Sequence, residues 1–205
     1  RFSGIEVLFA CQTLKGVLNN DVSLLVDNIH KFDIIGSLPG ADKGKEAEHI
    51  DFVMRLAKDE NKMLHVHVDQ LNTPDEKETE MVLDKIIEHN LKQKVSLVHC
   101  ISLACKDELY IRNQAKRMKL LDVDVIVCPS AAISMKQNNS ITSYIHNSIA
   151  PVSILLEEGV NVKLGIDNIE DLFMPLVDGD LWFETRLLME STRIYDFDKI
   201  INIVT

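Results

Sequence analysis

Two imidazoles and a carboxylate occupy alternate positions of one short stretch, Met63-Leu64-His65-Val66-His67-Val68-Asp69-Gln70. In an extended strand, successive side chains point to opposite faces. His65, His67 and Asp69 then share one face, and Leu64, Val66 and Val68 the other. A hairpin strand with its histidines in water would carry this pattern. So would a face lining an enclosed polar site, since imidazole and carboxylate are the usual ligands of Zn²⁺ and Fe²⁺. Residues of the same kind stand near the ends of other apolar runs. His99 closes Val95-Ser96-Leu97-Val98-His99, and Asp167 follows Val160-Asn161-Val162-Lys163-Leu164-Gly165. Gln12 comes shortly after Ile5-Glu6-Val7-Leu8-Phe9. Neutral imidazoles and a carboxylate can hold one ion, which lowers the pKa of a bound water and turns it into a nucleophile.

Bringing these residues together requires a particular arrangement of elements. Strands are expected at Ile5–Phe9, Phe32–Gly36, Met63–Gln70, Val95–Cys100, Val123–Cys128 and Val160–Gly165. Between them the spacing of apolar residues predicts helices. The first is capped by Asn20 or Asp21 and runs to Lys31; the second spans about Lys43 to Glu60, with Ile50, Val53, Met54 and Ala57 as its stripe. The third runs from Pro74 to His89, with Thr73 as cap and Glu76 as a capping-box carboxylate. Others cover Asp107–Leu120 and Ala150–Glu158, the latter stopped by Gly159, and the stretch after Pro175 to Arg193. Ile200–Val204 reads as another helix or a severed end, and a loop rich in Ser and Asn follows Cys128.

Strand and helix alternate six times, at intervals of roughly 30 residues, the signature of a parallel α/β sheet. An open doubly wound sheet and a TIM barrel both satisfy it. No Gly-x-Gly-x-x-Gly follows the first strand and no P-loop is present, so a nucleotide-binding open sheet has little support. A barrel needs eight units and typically about 250 residues. The expected fold is α/β, a partial (β/α)8 TIM-barrel type, with residues 1–205 forming one barrel domain. Strand C-terminal ends meet at one face in such proteins, which gathers Gln12, His67, His99 and Asp167. His65 lies deeper in its strand and reads as a packed neighbour. His30, His49, His89 and His146 fall on helices or in a polar loop, where solvated or capping roles are expected.

Composition narrows the classes further. The chain has 205 residues, 46% of them hydrophobic and 26% charged, the profile of a globular protein. A net charge of −10 argues against a nucleic-acid or anionic-membrane binder. No apolar run approaches the roughly 18–20 residues of a membrane span. Cys11, Cys100, Cys105 and Cys128 form no Cys-x-x-Cys pair, so reduced thiols in the cytoplasm are expected. The first residues, Arg1-Phe2-Ser3-Gly4-Ile5, carry no signal-peptide pattern and no initiator Met, and run at once into an apolar strand. A chain that begins mid-fold is expected.

In sequence order, Leu8-Phe9-Ala10-Cys11-Gln12, Asp33–Pro39, His65–Gln70, Val95–His99 and Gly165-Ile166-Asp167-Asn168-Ile169-Glu170-Asp171-Leu172-Phe173-Met174-Pro175 resemble the cytosine deaminase branch of the amidohydrolase superfamily. That branch also contains N-isopropylammelide amidohydrolase. The resemblance covers nearly the whole chain, and its last segment, with Gly179-Asp180, is the most specific. It implies a metal-dependent (β/α)8 barrel of which this chain holds strands three to eight. It implies one divalent ion, Zn or Fe, with His67 and Asp167 as ligands. Asp167 would also take the proton of the attacking water, and His99 would hold the hydroxide or the polarised substrate atom. Gln12 would bind the edge of a pyrimidine or triazine, Phe173 would wall the pocket, and Gln70 and Asn168 would also face the substrate. Two departures stand out. The family's paired His-x-His from strand one is missing from this chain, so the ion itself can be absent here. Gln70 stands where cytosine deaminases have a proton-shuttling Glu, and an amide neither gives nor takes a proton at neutral pH. Asp69, or a residue outside the chain, would have to replace it. Asn168 stands where cytosine deaminase has a second Asp.

The sequence therefore supports hydrolysis of a C–N bond in a small heterocycle, by deamination or by cleavage of a cyclic amide. Against it stands a non-catalytic fragment or pseudoenzyme, active only when completed. Two exposed sheet edges would favour a homo-oligomer or association with another chain.

Overall fold

The computed structural model describes residues 4, 6–18, 21–135, 140 and 142–204. Six strands form one sheet: β1 (Ala10–Gln12), β2 (Ile34–Ser37), β3 (Met63–Val68), β4 (Val95–His99), β5 (Asp124–Val127) and β6 (Val162–Leu164). All are parallel, and their order in space is their order in the chain. Each crossover carries helix: α1 (Ser23–Asn28), α2 (Glu46–Asp59), α3 (Glu78–His89), α4 (Glu108–Leu120), and the pair α5 (Pro129–Ser134) and α6 (Val152–Glu157). After β6 come α7 (Leu181–Thr192) and α8 (Phe197–Val204). Sequential order with no reversal point is that of a barrel wall, and the six units form a partial (β/α)8 barrel.

The period-two pattern of β3 is realised. Leu64, Val66 and Val68 are fully buried, and so are Ile50, Val53, Met54 and Ala57 on α2. Burying one such branched side chain contributes roughly 1.5–3 kcal/mol, so this layer outweighs any single cap or ion pair. It leaves His65 and His67 on the other face of β3.

Some boundaries move. The first strand is paired at Ala10–Gln12, not at the preceding apolar run, because the ladder with β2 opens where Asp33 and Ile34 both donate to the Phe9 carbonyl. Ile5 and the expected cap Asn20 lie outside the described residues. The Thr73–Glu76 capping box does not form, and α3 starts at Glu78. Glu76 instead accepts from the Leu71 amide and the Ser102 hydroxyl. The last long helix starts at Leu181, where the Asp180 carboxylate accepts from the amides of Trp182 and Phe183. Part of the Ser/Asn loop is helical, as α5, and Ile200–Val204 belongs to α8.

Candidate metal centre

Three side chains from three strand ends converge. His67 ends the inward row of β3, His99 closes β4 and Asp167 follows β6. One donor atom from each lies within 4.8 Å of the other two. His99 Nε2 stands 4.0 Å from Asp167 Oδ2. The rings of His67 and His99 are 5.2 Å apart at their centroids, tilted by 59°. His99 and Asp167 both hold positive φ, +76° and +71°, a backbone state that costs roughly 1–3 kcal/mol for a residue with a Cβ. The strand ends are thus bent to turn both side chains onto the rim.

Burial governs the protonation states. It pushes the His67 imidazole down to about 4, against the Ser37 backbone hydrogen bond that favours the charged ring. It pushes His99 down to about 3, with the His67 charge acting the same way. Both rings are therefore neutral near pH 7, the state in which imidazole ligates a metal. Burial, then the Asp171 charge, pushes the Asp167 carboxyl up to about 6. Two neutral imidazoles and a carboxylate make a donor set that Zn²⁺ or Fe²⁺ accepts, with room for water. His99 Nε2 is the nitrogen that faces Asp167, while His99 Nδ1 is buried with no hydrogen-bond partner among the described residues, and a buried polar atom left so costs roughly 1–3 kcal/mol.

The other expected site residues divide. Gln12 joins the centre, with Nε2 3.1 Å from His67 Nδ1. Its side chain crosses β2 over Gly36, where a Cβ would stand 2.7 Å from Gln12 Oε1. Gln70, Asn168 and Phe173 line a pocket of about 330 Å³ with His99 and Asp167. Gln12 lies outside that pocket and lines an open cleft of about 910 Å³ along β1 and α1. The Asn168 amide donates to Asp171, which also receives the amides of Phe173 and Met174. Phe173 sits at the rim, largely exposed.

Asp69 is turned elsewhere, contrary to the expectation that it serves as shuttle. It is 1% exposed, at φ +54°. Its carboxylate accepts from the amides of Glu78 at 2.9 Å and Thr79 at 3.4 Å, so it caps α3 from the end of β3. His65 is half-buried beside Asp124 and Lys163 and is not one of the three converging groups. His49 is fully buried rather than solvated. Its partners, Asp42, Ser37 and Thr13, lie on other elements, and helical spacing carries no trace of them.

Fold and site together define a parallel α/β barrel chain with a His, His, Asp cluster on its C-terminal rim. The chain belongs to the amidohydrolase family, whose model matches residues 39–204. An uncharacterized protein of Haemophilus influenzae is 35% identical over 158 residues, which cover 75% of this chain and 57% of that protein. In fold, the chain is similar to 5-methylcytosine deaminase from Klebsiella pneumoniae, with a TM-score of 0.84 at 19% identity over 96% of this chain and 50% of that one. It is also similar to N-isopropylammelide isopropylaminohydrolase from Burkholderia multivorans, with a TM-score of 0.77 at 19% identity, over 97% of this chain and 48% of that one. The chain spans about half the length of the proteins it matches. Among the described residues, no helix is long and apolar enough to cross a membrane.

Proposed function

We propose that the chain carries the C-terminal part of a metal-dependent hydrolase that cleaves a C–N bond of a small pyrimidine- or triazine-like heterocycle. The observation that carries this reading is the convergence of His67, His99 and Asp167 from three separate strand ends. His67 and Asp167 would hold one Zn²⁺ or Fe²⁺, with His99 beside them. The ion's contribution, when bound, is to make water a nucleophile near neutral pH. Asp167 faces His99 across 4.0 Å and takes the proton of the attacking water. His99 donates to the oxygen or nitrogen of the substrate on which charge develops. Gln70 and the Asn168 carbonyl oxygen offer neutral hydrogen-bonding groups suited to the edge of an uncharged ring, and Phe173 covers its face. Cleavage of an exocyclic amine and of a cyclic amide share these steps and differ in the leaving group. Four free cysteines suit the reducing cytoplasm.

A second reading rests on the open sheet: the chain is silent until another segment completes the barrel. Metal analysis of the purified protein separates the two. About one divalent ion per chain, lost in His67→Ala with the fold intact, is expected. An ion-free wild-type protein that releases no ammonia from amino-pyrimidines or amino-triazines would overturn the enzymatic reading.

A further inference from the structure

A second polar cluster, wholly buried, adjoins the centre and takes no part in the chemistry above. His49, on α2, is fully buried. Its Nδ1 lies 2.7 Å from Asp42 Oδ2, and its Nε2 lies 3.1 Å from Ser37 Oγ and 3.4 Å from Thr13 Oγ1. Asp42, 3% exposed, also accepts from the amides of Val17 at 2.7 Å and Leu18 at 3.4 Å. Burial pushes the Asp42 carboxyl up, but the Val17 amide and His49 outweigh it and hold it below the usual range. Burial keeps the His49 ring neutral against the pull of Asp42. The tautomer follows: Nδ1–H donates to Asp42, and Nε2 accepts from a hydroxyl.

Ser37, His49 and Asp42 stand in the order of a nucleophile, its base and an orienting acid. Yet Ser37 is fully buried, so no substrate meets its hydroxyl. The cluster reaches the candidate centre instead, by two routes. Ser37 ends β2 and pairs with Val66, the residue before His67, and its backbone favours the charged form of the His67 ring. Thr13, whose hydroxyl accepts from the Leu38 amide at 3.0 Å, donates its own amide to Gln12 Oε1 at 3.2 Å, and Gln12 Nε2 meets His67 Nδ1 at 3.1 Å. A buried carboxylate held by a neutral imidazole and backbone amides offsets its own desolvation and adds little stability over apolar packing. What this one supplies is a fixed geometry for the ends of β1 and β2.

We propose that the buried Asp42–His49–Ser37 relay is a positioning device for His67, holding the Ser37 backbone and the Gln12 amide so that the ring keeps one tautomer and one orientation. With Gln12 Oε1 held by the Thr13 amide, Gln12 Nε2 faces His67 as a donor and leaves Nδ1 unprotonated, and a histidine ligates only through an unprotonated nitrogen. The inference rests on the metal reading for its purpose, not for its geometry.

Ser37→Ala, Asp42→Asn and, as control, Asp51→Asn test it in the whole protein. Asp51 pairs with His89 at 2.7 Å and with Lys85 at 3.0 Å, joining α2 to α3 by the same chemistry without touching the centre. The readouts are the His67 ring tautomer in metal-free protein, from two-bond ¹H–¹⁵N spectra, and Zn²⁺ affinity by chelator competition. Asp42→Asn is expected to mix the tautomers and weaken Zn²⁺ about 10–100-fold, as losses behind a ligand do. Ser37→Ala should act in the same direction by less. Asp51→Asn should lower the melting temperature and leave both readouts alone. Folded Asp42→Asn and Ser37→Ala proteins with wild-type tautomer and affinity would overturn the proposal, as would equal effects from Asp51→Asn. Should Asp42→Asn fail to fold, Ser37→Ala, which removes one hydroxyl, decides. Absence of Zn²⁺ binding in the wild type would sink the metal reading, and the tautomer would still judge this one.

Discussion

Gly36 stands between Gln12 and His65 in the register of β1, β2 and β3. A Cβ there would come within 2.4 Å of the Cys11 carbonyl oxygen and 2.7 Å of Gln12 Oε1. The first neighbour is backbone and cannot swing away. Gly36→Ala should therefore destabilise the fold by about 1–3 kcal/mol, the usual cost of overpacking, and push Gln12 off His67. Urea unfolding reads the first effect and the His67 ring spectrum the second; an unchanged midpoint would contradict the close approach. His67, His99 and Asp167 were legible from the sequence because each closes or follows an apolar run, and parallel strands bring such positions together. His49 was not. A lone histidine on an amphipathic helix looks solvated, and its partners come from two other loops and a strand end. Asp69 misled for the opposite reason. Alternation put it on the His67 face, but its positive φ breaks the alternation and sends the carboxylate into α3.

That cap makes the start of α3 an element with its own pH response. Burial pushes the Glu78 carboxyl up to about 8 from its ordinary 4.5, with the charges of Asp69, Glu76 and Glu46 adding to the shift and the Asp69 amide opposing it. Burial also raises Asp69 and Glu76. The folded chain then holds more protons than the unfolded chain between about pH 4.5 and 8. Stability from Glu78 is full below that window and is lost as pH rises through it. Glu78→Gln should flatten part of the fall in melting temperature across the window, and an identical slope in both proteins would refute the assignment. At α7, the Asp180 carboxylate accepts from Trp182 and Phe183 at 2.8 and 3.4 Å. Asp180→Ala should cost about 1 kcal/mol in chemical denaturation. Element types were legible from periodicity; the start of α3 was not, because a residue from the preceding strand end caps it and local spacing cannot report that.

At the scale of the molecule, the sequence revealed six βα units but not the curvature or closure of the sheet, which depend on register. Among the described residues, the outer sides of β1 and β6 pair with no strand. Large apolar groups lie exposed near the start of the sheet and on the last helices: Phe9 at 63%, Trp182 at 84% and Phe197 at 70%. Trp182 and Phe197 also line an apolar groove of about 560 Å³ between α7 and α8. Unpaired edges and exposed apolar surface favour pairing with another chain. The net charge of −10 opposes contact between copies, and salt weakens that opposition because repulsion between exposed charges is screened over about 10 Å at 0.1 M. The 205-residue chain should therefore self-associate, and do so more strongly at 0.5 M than at ~0.05 M salt, in sedimentation velocity across a concentration series. Phe9→Lys, which adds a charge at the β1 edge, should weaken the association. A single monomeric species at every concentration and salt would mean that the open edges are covered within the chain itself.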